Sequence, residues 1–403
     1  MALTIQVTDE DLSPVGLIDR WTSLDCTRRY REAGSGTLTL PASPDVMEIL
    51  QPGHRLVVVR DGQIWMAGPM EVPQEVEVGF GGGDEGEGQA PPGVISVNFT
   101  DDLGRIAGYI TWPDPAEPWA DQPTGEWWSM VDEPGGDIIR ALVDATCGPS
   151  ARAERRIPRL VVAPDVGVGG VTTCNTRFEG LLVACRRVAV ASGDIGFRTR
   201  QVGRDIVFEV YEPRDLTGSA RFSFGLGNLR YLRAKRSAPT VTHALVTGTE
   251  PDPDSEDGPT TRAFVEVADT GAAATWWRVE RHVDGSADTD DDGELTQAGV
   301  EELAGGSAPV ELATVTVDVP DEPGRPGTGL VAGRDFDLGD RVAIALPNGD
   351  QVADIVRNMH LQATPRSGEH VTSLVGSPEA TSDPAVVQLV RGITRRLGRI
   401  AAR

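Results

Sequence analysis

FDLGDRVAIALPNGDQVADIV, residues 336–356, decides the fold class. Val342, Ile344 and Leu346 alternate with other residues as one face of a strand does. Asn348–Gly349 then breaks the run before a second alternating stretch, Gln351–Val356, which is the signature of a β-hairpin. Leu338–Gly339–Asp340 just upstream reads as the turn that launches the first strand. Gly339 supplies the turn conformation and Asp340 an Asx-type bond.

Similar runs recur outward from this stretch, at Thr4–Val7, Thr37–Leu40, Arg55–Arg60, Val94–Phe99, Asp205–Tyr211, Val241–Thr247, Ala263–Val267 and Leu312–Val319. Asp61–Gly62 sets another hairpin between Arg55–Arg60 and Gln63–Ala67. The expected class is therefore mainly β (α+β). Helices are fewer. The sequence predicts one over Arg177–Ser192, with a Thr176/Glu179 capping box and a stop at Gly193, and one over Asp137–Cys147 before Gly148. A third, Glu294–Ala304, follows an acidic loop. A C-terminal helix begins at Asp383–Pro384, with Val386, Val390, Ile393, Leu397 and Ile400 at coiled-coil spacing and Arg391, Arg395, Arg396, Arg399 and Arg403 on its other faces. It either packs on its own domain, which we expect, or forms a short bundle at a symmetry axis.

The 403 residues have room for two to four domains. We expect a β domain over 1–110, an α+β insertion over 111–230, a second β domain over 231–380 and the C-terminal helix over 381–403. The linkers 79–93, 251–259 and 321–329 read as mobile loops.

The net charge of −24 argues against gripping nucleic-acid phosphates over the whole surface. Its distribution says more. Residues 71–89, 111–139, 250–261 and 284–302 hold 26 acids and no basic residue, whereas 140–236 carries 17 basic groups against 9 acidic ones. The N-terminus lacks the basic and apolar regions of a signal peptide, and no run approaches a membrane span, so a soluble protein made in the cytoplasm is expected. Cys26, Cys147, Cys174 and Cys185 include no C-x-x-C, which fits reduced thiols. Lys235 is the only lysine, an arginine bias that accompanies GC-rich coding.

Motifs of covalent chemistry are missing: there is no G-x-S-x-G, no phosphate-binding P-loop and no H-E-x-x-H. His54, His243, His282, His360 and His370 stand apart from one another. Asp288, Asp290 and Asp292 with Gly293 match the first half of an EF-hand loop, but Gly299 stands where the bidentate carboxylate belongs. A solvated acidic loop is the expectation. Trp112, Trp119, Trp127 and Trp128 crowd into a Pro- and Asp-rich stretch. They stack on a sugar, fill a partner's pocket or pin the loop onto its own domain, and we expect the last. Trp276–Trp277 reads as a strand with one ring on each face. No catalytic, cofactor-binding or metal-binding residue is nominated, and no enzyme is expected.

Several strings gain meaning together. Asp19–Arg20–Trp21, then Arg28–Arg29–Tyr30–Arg31–Glu32–Ala33–Gly34–Ser35–Gly36–Thr37–Leu38–Thr39–Leu40–Pro41, a short helix ending at Pro52–Gly53, and Ala67–Gly68–Pro69–Met70 stand in that order. Asn228–Leu229–Arg230–Tyr231, Ala238–Pro239–Thr240 and Phe336–Asp337–Leu338–Gly339–Asp340–Arg341–Val342 follow. Across roughly 15–75 and 225–375 the chain resembles siphophage tail-tip hub proteins, the Gp37-like minor tail proteins of actinobacterial phages. That resemblance implies β-barrel-like tube or hub domains and a homo-oligomeric, trimeric baseplate hub ring in the virion. It implies partners in the distal tail protein, the tape-measure protein and the tail spike or fibres, with assembly in the host bacterial cytoplasm. DNA would be transient cargo during ejection, repelled by an acidic lumen. The alternative is a receptor- or carbohydrate-binding adhesin of the same virion that uses the Trp-rich loop.

Overall fold

The protein is seen in a computed structural model that describes residues 3–71, 75–77, 93–164, 167–236, 238–248, 261–284, 292–306, 310–323, 325 and 328–376. The predicted C-terminal helix, the linkers 79–92 and 251–259, and Asp288 and Asp290 lie outside them. The chain forms two compact units: Leu232–Ala313, and the remainder, which joins the residues up to Tyr231 with those from Thr314 onward.

The larger unit is mainly β. The central sheet has the order Leu229–Arg236, Val310–Val317, Gly368–Gly376, Gln351–Thr364, Ser23–Arg29, Glu32–Pro41, Val94–Thr100 and Glu75–Glu77, with Arg341–Ala345 and Arg221–Phe222 branching from the middle; the chain passes to the smaller unit within its first strand and returns within its second. The long strand Gln351–Thr364 organises it. Its first half pairs with Arg341–Ala345, as the Asn348–Gly349 hairpin predicts, and its second half lies between Ser23–Arg29 and Gly368–Gly376. Inward side chains Leu24, Cys26, Leu38, Val97, Phe99, Met359 and Leu361 are at most 1% exposed. Gly36 is needed where it stands, because a Cβ there would lie 2.4 Å from the Phe99 ring and 2.8 Å from the Cys26 Cβ. The sheet is open: its two end strands have no neighbour that would close it among the described residues. Mainly β with α+β parts is thus the observed class, in open sheets rather than a closed barrel.

A second antiparallel sheet, Pro14–Ile18, Leu3–Thr8, Arg55–Arg60 and Gln63–Pro69, covers the N-terminal part. Asp61 and Gly62 both have positive φ, the geometry that a two-residue hairpin requires. The pair Arg55 and Asp102 is sealed beneath it at 1% and 3% exposure, joined by two parallel hydrogen bonds.

Residues 103–211 supply the α+β part. Helices Gly135–Cys147 and Leu181–Ala191 bury Ile138, Ile139, Leu142, Leu181, Cys185 and Val188 in one core with Phe197, Ile206 and Phe208. The sheets Leu160–Val162, Asp205–Tyr211, Gly196–Val202 and Val171–Thr176 with Trp128–Pro134 flank it. The second helix begins four residues later than its capping box predicts. Thr176 stays in its strand, where its hydroxyl donates to Glu179 at 3.0 Å and pairs with that of Thr111 at 2.9 Å. Gly193, at φ +97°, follows its end as predicted.

The smaller unit packs helix Asp292–Gly306 on the sheet Phe264–Ala268, His243–Thr247 and Glu280–Asp284. Trp276 and Trp277 are not in a strand. Asp269 caps a short helix, Thr270–Thr275, by accepting from Ala272 N–H at 2.8 Å, and the two rings meet edge to face at its end. Local capping overrides their alternating neighbours. The segment 321–329 is likewise tied down where it is described. Asp321 accepts from Gly329 N–H at 2.8 Å and pairs with Arg334, while Glu322 N–H donates to Thr328.

Candidate functional site

Two places concentrate the chemistry of the larger unit. The first is the Leu338–Gly339–Asp340 turn. Gly339 sits at φ +85°, and a Cβ on it would lie 2.5 Å from the Tyr30 ring. Tyr30 is held in turn by its hydroxyl, which donates to Asp194 O at 2.8 Å. Asp340, 3% exposed, accepts from Asp337 N–H at 2.7 Å and from the Arg214 backbone and guanidinium. The expected Asx-type bond thus runs backward, to a residue three positions earlier. Tyr211 donates to Leu338 O at 3.0 Å. The turn therefore ties the C-terminal strands to the N-terminal ones through Tyr30 and to the α+β part through Tyr211 and Arg214.

Beside it lies a cavity of about 830 Å³ lined by Arg28, Arg60, Trp65, Asp101, Arg198 and Asp337 among others. The Trp65 ring has guanidinium groups from Arg28 and Arg60 at 4.9 and 5.2 Å. Burial alone would raise the pKa of Asp337, but Arg28 and Arg198 outweigh it and hold the carboxyl below its ordinary value. Asp101 goes the other way. Burial pushes it up to about 6 despite the Gly34 N–H that it accepts at 2.8 Å. Every arginine of the wall that has been named holds an acid partner, so the guanidinium charges of the cavity are neutralised in place.

The second place is the tryptophan-rich loop. The structure divides its four rings. Trp128 packs against the α+β core, and Trp112 is half-buried beneath the Arg155 guanidinium at 3.8 Å. These two pin the loop as expected. Trp119 and Trp127 stay 57% and 52% exposed, although Trp119 leans on Trp112 at 5.4 Å. Among the described residues no group of His, Cys, Asp or Glu is placed to hold a metal ion. Cys26, Cys147, Cys174 and Cys185 are free and buried, and burial raises all four thiols, Cys26 and Cys147 to about 12. No described helix is long and apolar enough to cross a membrane.

Residues 4–377 match the family model described as Siphovirus ReqiPepy6 Gp37-like protein, a span that takes in the middle of the chain as well as its two resembling ends. No curated protein matches the sequence. Among solved structures, the fold is similar to that of the 43 kDa tail protein of prophage MuSo2 from Shewanella oneidensis, at TM-score 0.54 and 12% identity over 94% of this chain and 99% of that one. It is similar to a tail protein from Neisseria meningitidis MC58, at 0.53 and 14% over 94% and 97%. Prophage tail protein gp18 from Listeria monocytogenes EGD-e follows at 0.52 and 10% over 97% and 99%.

Proposed function

The chain belongs to the Siphovirus ReqiPepy6 Gp37-like protein family, a structural component of the phage tail rather than an enzyme, and from that premise we propose that it is a tail-tip hub subunit. It assembles as a closed homotrimeric ring that continues the tail tube. The distal tail protein, the tape-measure protein and the spike or fibres bind around it, and DNA passes through its lumen at ejection.

The observation that carries this reading is the open central sheet. Unpaired strand edges are templates for another chain, and closure removes them. Here the two ends differ by sequence: one reads LRYLRAKR over Leu229–Arg236 and the other EVE over Glu75–Glu77. Edges of opposite charge favour a head-to-tail contact between copies, which closes into a ring when the rotation allows. Acidic stretches bordering the lumen would repel the DNA backbone and keep it from sticking.

Light scattering of the purified protein, with electron cryomicroscopy of the intact tail tip, tests the proposal. A ring of three copies at the tip is expected. A protein that stays monomeric at high concentration, together with labelling elsewhere on the virion, overturns it.

A further inference from the structure

The loop that carries Trp119 has polar bonds of its own besides the contact of that ring with Trp112 at 5.4 Å. Gln122 Nε2 donates to the carbonyls of Asp114 and Glu117 at 2.7 and 3.0 Å, and its Oε1 accepts from Asp114 N–H at 3.1 Å. Arg152 adds a bond to Ala116 O at 2.8 Å. A loop held by its own polar network that still presents a half-exposed indole is prepared for something outside itself.

The exposed apolar surface continues beyond Trp119. Its ring meets Phe178 edge to face at 5.5 Å, and Phe178 is itself 47% exposed at φ +55°, a region that bulky residues rarely enter. The neighbouring Arg177 lies over Trp127 at 4.4 Å. Trp119 and Phe178 thus form an exposed ridge, and Trp127 joins it only through Arg177, the neighbour of Phe178 in the chain. Beside it in the chain, Glu117, Asp121, Glu126, Asp132 and Glu133 are exposed, and none of them joins an ion pair among the described residues. Aromatic anchors beside unneutralised carboxylates complement a partner that brings apolar side chains and guanidinium groups.

We infer that this ridge docks residues 383–403 of a second copy. Those residues lie outside the described ones, and their sequence suits the ridge. They hold five arginines, Arg391, Arg395, Arg396, Arg399 and Arg403, against the single acid Asp383, with an apolar repeat from Val386 to Ile400. Guanidinium groups stack on indoles and pair with carboxylates bidentately, and Arg177 on Trp127 already shows the first mode on this surface. The inference rests on the ring reading, because ridge against tail is a heterologous contact that a ring repeats and closes.

Limited trypsin digestion of the full chain, read by mass spectrometry beside light scattering, tests it. The acidic stretches 71–89, 250–261 and 284–302 contain no tryptic site, which leaves the cuts at Arg391 to Arg399 easy to follow. The wild-type oligomer should resist cleavage there. Trp119→Ala with Trp127→Ala, and separately Asp121→Asn with Glu126→Gln, which add no tryptic site, should speed it about fivefold or more, the effect of losing about 1 kcal/mol of docking. Both pairs should melt like the wild type, and Trp277→Ala, an exposed tryptophan of the other unit, should change nothing. Unchanged tail cleavage in both ridge variants of a protein that stays oligomeric overturns the inference and leaves the ring reading standing. A monomeric wild type overturns both. Loss of cell-wall saccharide binding in the tryptophan variants, with tail cleavage unchanged, makes the ridge a sugar platform and also overturns the inference.

Discussion

Gly339→Ala is the sharpest test of how this unit is held together. The substitution puts a side chain at φ +85°, which costs an L residue about 1–2 kcal/mol. Its Cβ arrives 2.5 Å from the ring of Tyr30, which is 6% exposed and anchored on Asp194, so the ring cannot swing away freely. Overpacking of that kind costs about 1–3 kcal/mol more. The total of about 2–5 kcal/mol corresponds to a fall in Tm of about 4 to 20 °C at the roughly 2–4 °C per kcal/mol of larger domains. Denaturant titration followed by tryptophan fluorescence measures it. In a Tyr30→Ala background, where the obstacle is gone, Gly339→Ala should cost only the backbone part, about 1–2 kcal/mol. A cost below about 0.5 kcal/mol, within the range of ordinary surface changes, would mean that neither the positive φ nor the Tyr30 ring resists a side chain there. Equal costs in the two backgrounds show that Tyr30 is not the obstacle.

Other expectations follow from the same structure. Arg55→Met strands the buried Asp102 carboxyl and should cost about 3–5 kcal/mol by denaturant titration, and adding Asp102→Leu should recover most of it. Asp101, raised to about 6 by burial, keeps a proton in the folded state that the unfolded chain has released above its ordinary 3.8. Stability should therefore decline as pH rises from about 4 to about 6 and level off beyond, and Tm against pH for Asp101→Asn should lose part of that slope, the rest tracking Asp318, which burial also raises to about 6. The four buried thiols should react with a disulfide reagent only as fast as the protein opens, so an immediate burst from the native state contradicts their burial.

Strands whose inner and outer faces differ in polarity were legible residue by residue. Asp205–Tyr211 has the bounds that alternation predicts, while Arg55–Arg60, buried on both faces, shows instead as a β-branched run that ends at Asp61–Gly62. Ser23–Arg29 was not legible, because only Leu24 and Cys26 mark its inner face while its other residues are polar. Its strand character comes from its neighbours, the hairpin partner Glu32–Pro41 and the distant Gln351–Thr364. Gln351–Thr364 runs eight residues past its predicted end for the same reason, since Ser23–Arg29 and Gly368–Gly376 extend it. At the tryptophan-rich loop, the sequence offered pinning or presentation for all four rings. The answer is divided, and what divides it is Gln122, whose three short bonds leave no periodic trace.

The pairing of Ser23–Arg29 with Gln351–Thr364 also sets a timetable for synthesis. Asp25 and His360, bonded across the sheet at 2.8 Å, are 335 residues apart. At the roughly 5–20 residues per second of translation, one waits about 15 to 70 s for the other to be made. Through that interval Ser23–Arg29 lacks one neighbour, while residues 103–211 already have their helices and core. The N-terminal sheet and the middle therefore have all their partners early, and the pairing of the two ends of the chain comes last. A message truncated even shortly before codon 351 should yield a product with a finished interior and a sticky open edge, fit for proteolysis rather than for assembly.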